Sequence, residues 1–453
     1  MPSAPAVHEF GAAEIDALAA QEAAALDAAG LGEGGSLGWL ALNRPRALAL
    51  LRACEQRGVR YVPLNWRLTA AELTAIAQHA GLQALWHDEA MAALASQVAQ
   101  AAALPQRLAP GHRAGDLMLV YTSGTTGEPK GAIHTAAAMR ANNAAAIDAQ
   151  GLDASTRTLA VLPLFHVGGL CIQVLPTLAA GGRVRLHERF DAGAWLADVA
   201  AWRPTTSLLV PATMRAIVEH PDWPRADLSS LAFVNSGSQI VPRDLIDAFH
   251  ARGVPVAQVY GATETGPVSI VLRPAEAMAH PGKAGRPALG VQVRLVEGEV
   301  WVRGPNVARG YHRDEDSPAF AEGWFRTGDL ASVDADGCYE IVGRSKELII
   351  SGGENIHPTE IEHLALADPA VADAAVVGLP DARWGEVPVL AVVARPGAAF
   401  DEARLRAAFD AGLARYKHPR RIVVVPALPK TALGKVRRSE LAWMLIDATQ
   451  SGG

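Results

Sequence analysis

The chain has 453 residues, of which 50% are hydrophobic and 19% charged, with a formal net charge of −6. A chain this long exceeds the size at which one core stops growing, so two or more domains are expected. The acidic balance argues against nucleic acid or an anionic membrane as the main partner. Cys54, Cys171 and Cys338 are far apart, without metal spacing, which excludes a disulfide framework and points to a reducing, cytoplasmic compartment.

In chain order, the N-terminus lacks a basic segment followed by an apolar core, so no signal peptide is expected. Residues 12–29 read as a helix with scattered acids. Apolar runs at 37–42, 117–121, 158–162, 207–210 and 256–259 read as strands. Residues 134–147, rich in alanine, read as a helix. This alternation gives βα units and parallel-rich sheets. Residues 159–180 carry no Asp, Glu, Lys or Arg. Pro163, Pro176, Gly168–Gly169 and His166 break that run into strand, turn and helix, not a membrane span.

From 290 to 342 the texture changes to short strands, at 291–296, 299–302 and 339–342, which fit a small barrel or sheet. After Gly343-Arg344-Ser345-Lys346 the strand–helix pattern restarts over about a hundred residues, the size of a small domain. The expected class is α/β. A large N-terminal domain of two parallel-rich sheets carries a small β-barrel-like subdomain, and a small mobile α+β C-terminal domain follows. The expected boundaries are 1–343, a hinge at 344–346, and 347–453.

Chemistry concentrates in YTSGTTGEPKG, residues 121–131, which combines small hydroxyls, three glycines and Lys130. Glycines let backbone N–H groups turn inward as an anion nest, and the lysine adds a point charge. No GK[ST] is present, so this is a polyphosphate cradle other than the Walker A loop. Five further motifs follow in order: PLFH (163–166), YGATET (260–265), GWFRTGDL (323–330), GRSKELIISGGENIHPTEIE (343–362) and LPKTALGK (428–435).

Together these motifs resemble the adenylate-forming superfamily of acyl-CoA synthetases, peptide-synthetase adenylation domains and firefly-type luciferases, over about residues 31–438. The resemblance implies an ATP-dependent acid–CoA ligase that forms acyl-AMP, then acyl-CoA, and releases AMP and pyrophosphate. ATP, Mg²⁺ and coenzyme A are the implied cofactors and co-substrates. Thr122, Ser123, Gly124, Thr125, Thr126, Gly127 and Lys130 would hold the phosphates. Glu264 would bind Mg²⁺, since that ion takes few carboxylates plus substrate phosphates. Thr263 would donate to a phosphate oxygen, and Tyr260 and Gly261 would lie along the adenine. Asp329 would clamp the ribose beside Arg344. Lys435 would neutralise charge at the α-phosphate and the acid. Lys346 would be the hinge, and Ser351, Gly352 and Gly353 would line the CoA path.

His166 resembles a gate or carboxylate neighbour at the acyl pocket, and equally reads as a core histidine. The basic run 415–438 holds eight Lys or Arg and no acid, part of it a solvated face. Two departures stand out: the chain sits at the short end of the family, and NSGSQIVP (235–242) replaces a common Gly-Ala-Pro pattern beside the adenine. Gly-Gly-Ser-Leu at 34–37 resembles a carrier's attachment site, but falls where the family turns into a strand. The acyl pocket candidates are 165–171, 233–239 and 261–270, with no Lys or Arg to pair a second carboxylate. A medium- or long-chain fatty acid or an aryl monocarboxylic acid is therefore expected. The alternatives are 2-succinylbenzoate, or loading of a separate carrier protein. Expected partners are the acid, ATP and CoA, with no nucleic acid and no integral membrane segment; a homodimer is left open.

Overall fold

A computed structural model describes residues 5–104, 112–122, 130–314, 316–351, 354–381, 383–431 and 434–450. Contacts divide the chain into two compact units. One takes in Met1–Val241, Leu245–Arg294 and Trp301–Thr327; the other takes in Pro242–Asp244, Leu295–Val300 and Gly328–Gly453.

Two sheets build the first unit. The larger has eight strands in the order Val7–Phe10, Arg183–His187, Arg157–Ala160, Thr206–Leu209, Phe233–Gly237, Val256–Tyr260, Ile270–Leu272, Arg286–Pro287. Its five strands from Arg183–His187 to Val256–Tyr260 run parallel, and the outer pairings are antiparallel. The smaller sheet runs Ala84–His87, Ser36–Leu40, Arg60–Leu64, Asp116–Thr122, Lys130–Thr135, parallel except for its last strand. Helices cover the sheets because connections between parallel strands must cross a face. Their ends follow local chemistry: Pro45 opens Pro45–Arg57, and Gly58, at φ 63°, closes it. Ser36 is fully buried and its Oγ accepts from Arg60 at 3.2 Å and 3.3 Å, so the Gly-Gly-Ser-Leu segment is a core strand.

One expected element differs. The helix read over 134–147 is preceded by strand Lys130–Thr135, and the helix spans Ala136–Gln150. Thr135 sets the boundary, its Oγ1 accepting from Ala138 N at 3.0 Å as an N-cap. The charge-free run becomes strand Arg157–Ala160 and then one continuous helical stretch, α over Val167–Gly169, π over Leu170–Val174, α over Leu175–Ala179. Among the described residues, no helix is long and apolar enough to cross a membrane.

The segment 306–312 ties the two sheets of this unit together. Asn306 Nδ2 donates to Thr265 O (2.6 Å) and Val268 O (3.2 Å), and Ala308 N donates to Glu264 O (2.7 Å). On its other side, Arg309 N donates to Ile133 O and His312 N to Gly131 O, while Ile133 N donates back to Gly310 O. Arg309 adds a two-pronged pair with Asp116, at 3.1 Å and 2.8 Å, whose carboxylate is only 1% exposed.

The second unit is smaller. Its five-stranded sheet places Glu354–Ile356, Ile349–Ser351, Gly385–Ala394 and Val371–Asp381 in order, and Arg421–Val424 pairs in parallel with Gly385–Ala394. Helices Pro358–Leu366 and Glu402–Gly412 pack over Ile361, Val376, Leu390 and Phe409; Leu441 and Leu445 of the last helix join Val377 and Val389.

Two stability predictions follow from the first unit. Arg309→Met strands the buried Asp116 carboxylate and should cost about 3 kcal/mol, read as a fall in melting temperature. Asp116→Asn combined with Arg309→Met should recover part of that loss; equal melting of wild type and Arg309→Met would contradict the pair's importance. His134, fully buried on Lys130–Thr135, has its pKa lowered to about 4 by burial, the nearby Thr263 backbone offsetting only part of that. The unfolded chain takes up this proton below about pH 6.5 and the folded chain only near 4. Stability is therefore full above 6.5 and is lost as pH falls, by about 2 kcal/mol near pH 5. His134→Leu should flatten the melting-temperature decline between pH 7 and 5, and an unchanged decline would rule this histidine out as its source.

Candidate active site

Thr122 and Lys130 pair across the last register position of two antiparallel strands, so they form the base of the Gly-rich connection. Ser123, Gly124, Thr125, Thr126 and Gly127 lie outside the described residues. The Lys130 ammonium stands 5.3 Å from the Tyr311 ring centroid, within cation–π range. On its other side, Tyr311 Oη donates to Glu264 Oε1 at 2.6 Å. Burial, and then the Glu264 charge, push the phenol's pKa above its usual value, so it remains a donor at any working pH. Tyr311 thus contacts Lys130 through its ring and Glu264 through its hydroxyl.

Glu264 is 8% exposed, in the single turn Thr263–Thr265 that follows strand Val256–Tyr260. The turn is fixed by Thr265, whose Oγ1 accepts from Ala262 N at 2.9 Å. Gly261 has no alternative: a Cβ there would lie 1.7 Å from Pro267 O. Thr263 and Tyr260 are half-buried beside it. Among the described residues, the Glu264 carboxylate has a neutral partner, Tyr311, and no cation pairs with it. A nearly buried carboxylate without a cation suits a metal completed by substrate phosphates. No group of three or more His, Cys, Asp or Glu forms a metal cluster among the described residues.

His166 opens the helical run that starts at Val167, its ring 5.0 Å from that of Phe165. Burial, and then the Arg67 charge, lower its pKa to about 4, so the imidazole is neutral near pH 7. It can exchange hydrogen bonds with a carboxylate but does not neutralise one.

In the second unit, Asp329 and Arg344 face each other across two antiparallel strands, Arg344 Nε 2.7 Å from Asp329 Oδ1. Lys435 belongs to the same neighbourhood. Its hairpin is closed by Thr431 N donating to Lys435 O (2.7 Å) and Lys435 N to Thr431 Oγ1 (3.2 Å), with Gly434 turning at φ 80°. Desolvation of the ammonium, then Arg344, lower its pKa, while Glu347 and Asp329 oppose that, although the residue as a whole is exposed. Next to the hairpin, Arg438 is locked by Glu362 (2.6 Å), Glu347 (2.9 Å) and Val376 O (2.6 Å). Lys346 is exposed in the turn Ser345–Glu347, and Ser351 ends its strand opposite Glu354, where the next strand begins; Gly352 and Gly353 lie outside the described residues.

The structure thus gathers Lys130, Thr263 and Glu264 in one unit and Asp329, Arg344 and Lys435 in the other. Sequence reasoning missed Tyr311, Arg309, Asp116 and Arg438. Tyr311 lies in no motif, and the only signal was an extended-looking run, Arg309-Gly310-Tyr311-His312, with no visible partner.

The family model described as AMP-binding enzyme matches residues 2–312, and that of the AMP-binding enzyme C-terminal domain matches 360–435. Indoleacetate–CoA ligase of Aromatoleum aromaticum is 39% identical, over 96% of this chain and 93% of its own length. Feruloyl-CoA synthase of an Amycolatopsis species is 38% identical, over 97% and 96%. The solved structure of o-succinylbenzoate CoA synthetase from Bacillus subtilis, in complex with its acyl-adenylate, superposes with a TM-score of 0.84 at 30% identity, over 95% of this chain and 92% of that one. The chain belongs to the AMP-binding enzyme family and is an acyl-CoA synthetase of the AMP-forming kind.

Proposed function

We propose that the protein joins an aromatic monocarboxylic acid to coenzyme A through an acyl-adenylate. The observation that carries this reading is the contact set Lys130–Tyr311–Glu264 at the base of the Gly-rich connection. It sets a cation at the ring and a cation-seeking carboxylate at the hydroxyl of one tyrosine. The aromatic class is supported by the indoleacetate and feruloyl relatives, and by candidate pocket segments without Lys or Arg.

A carboxylate is a poor electrophile because its charge repels nucleophiles and oxide leaves badly. Transfer to AMP gives a mixed anhydride that a thiolate attacks. In the first step, Thr122, Ser123, Gly124, Thr125, Thr126 and Gly127 cradle the polyphosphate, and Lys130 holds the departing pyrophosphate. Glu264 would hold Mg²⁺, which when bound neutralises phosphate charge; Tyr311 orients that carboxylate by donating to Oε1. Thr263 donates to a phosphate oxygen, Tyr260 and Gly261 flank the adenine, and Asp329, steadied by Arg344, accepts from the ribose hydroxyls. Lys435 offsets charge at the α-phosphate as the adenylate forms, a role whose loss costs ~10²–10³ in rate. In the second step the backbone turns at Lys346, and Ser351, Gly352 and Gly353 line the thiol's path. His166, neutral, borders the acid. We take the catalytic small domain to be 347–453, joined through 344–346.

A pyrophosphate-release screen over aromatic, fatty and dicarboxylic acids, with and without CoA, tests the reading. Aromatic monocarboxylates should turn over fastest and yield a thioester with free CoA. A preference for fatty acids, for 2-succinylbenzoate or for a carrier protein as acceptor would overturn the finer assignment. Two variants should split the half-reactions. Lys435→Ala should lose pyrophosphate exchange by ~10²-fold or more yet convert supplied acyl-AMP to acyl-CoA. Lys346→Pro, which freezes one backbone torsion, should keep exchange and lose thioester formation. Equal loss of both half-reactions in either variant would contradict these roles.

A further inference from the structure

The last helix of the second unit, Arg438–Gln450, begins on a largely buried ion cluster. Arg438 donates through Nη1 and Nη2 to Glu362, at 2.6 Å and 3.2 Å, and through Nε to Glu347 at 2.9 Å. Its Nη1 also donates to Val376 O at 2.6 Å. Val376 N in turn donates to Glu362 Oε1 at 2.7 Å. One guanidinium thus joins the turn Ser345–Glu347, helix Pro358–Leu366 and strand Val371–Asp381.

The cluster does not balance by itself, since two carboxylates share one guanidinium, and surplus charge away from water is costly. Glu362 spends both oxygens on Arg438, whereas Glu347 gives only Oε2. Glu347 is also the more open of the two, its side chain 26% exposed against 11%. The acid with charge to spare is therefore Glu347.

The cation that balances it is Lys435. The chain from Lys435 to Arg438 is fixed, because Val436 bridges to Lys430 and Arg437 N donates to Pro429 O at 2.8 Å. Among the described residues the Lys435 ammonium has no carboxylate in direct contact. Its own burial, then Arg344, lower its pKa, and Arg438 adds to that, while Glu347 and Asp329 act against them. Asp329 is already matched by Arg344 at 2.7 Å, which leaves Glu347. Glu347 also directly follows Lys346, in a turn whose other end is pinned by Ser345 Oγ donating to Gly328 O at 3.1 Å.

We propose that Glu347, gripped by Arg438, is the positioning residue of Lys435. It stations the lysine hairpin beside the turn at Lys346 and serves as the ammonium's counter-charge until an α-phosphate takes that place. This rests on the reading of Lys435 as the cation of the adenylation step.

Glu347→Gln removes the charge and leaves Arg438 its contacts with Glu362 and Val376 O. Pyrophosphate exchange should fall about tenfold. The alkaline limb of its pH profile should move to lower pH, because loss of the acid lowers the lysine's pKa further. Conversion of supplied acyl-AMP to acyl-CoA, which does not use Lys435, should stay within about twofold of wild type. In the Lys435→Ala background the same substitution should cost nothing more, since its route to the chemistry is gone. An equal loss in that background, an unmoved alkaline limb, or equal losses in both half-reactions overturns the inference. Should Glu347→Gln fail to fold, Arg438→Lys decides: it keeps the charge, loosens the grip on Glu347, and should lower exchange more than thioester formation, with equal losses again overturning the inference. If Lys435→Ala itself retains full exchange, the reading of Lys435 has failed and this inference falls with it. If Lys435→Ala loses exchange and Glu347→Gln does not, the inference alone is overturned.

Discussion

The site in the first unit depends on the clasp made by residues 306–312. Lys130 belongs to the five-stranded sheet and Glu264 to the turn beyond a strand of the eight-stranded sheet. Neither sheet by itself brings cation and carboxylate together. The clasp does so by hydrogen bonding to both, through its backbone to Gly131 and Ile133 on one side, and through the Ala308 N–H to Glu264 and the Asn306 side-chain amide to Thr265 on the other. Tyr311 sits at its centre, with its ring facing the lysine and its hydroxyl on the acid. The Arg309–Asp116 pair secures the clasp where water cannot screen it.

Charge is arranged with the same economy. In the first unit Lys130 lies within cation–π range of Tyr311, and within the second unit Arg344, Lys435 and Arg438 stand around Asp329 and Glu347. His166 is held uncharged by burial, and the buried amides of Gln173 and Asn235 both donate to the Gln150 side chain.

Much of this was legible in the sequence, for identifiable reasons. Strands such as Asp116–Thr122 and Val256–Tyr260 show as apolar runs closed by Gly- and Thr-rich turns, and the motif residues fall at their ends. Glu264, Asp329 and Lys435 could be picked out because their neighbours in the chain announce them. What could not be read depends on partners distant in the chain. Residues 130–131 read as the end of the Gly-rich loop and 134–135 as the start of a helix, and the two flanking backbones, Asp116–Thr122 and 309–312, make 130–135 a strand. The π widening at Leu170–Val174 has no local signature, because the caps on its carbonyls come from Asn142 and Gln150. Tyr311 and Arg438 were missed for the same reason, each defined by what it bridges.

Activation of the acid by AMP transfer leaves a trace in where the carboxylate oxygens go. Isotope tracing reads this directly. An aromatic acid labelled with ¹⁸O in its carboxylate, turned over with ATP and CoA, should deliver one labelled oxygen to the AMP released with the acyl-CoA, and none to pyrophosphate. Label appearing in inorganic phosphate, with ADP as the nucleotide product, or thioester formed with unlabelled AMP, would contradict the account.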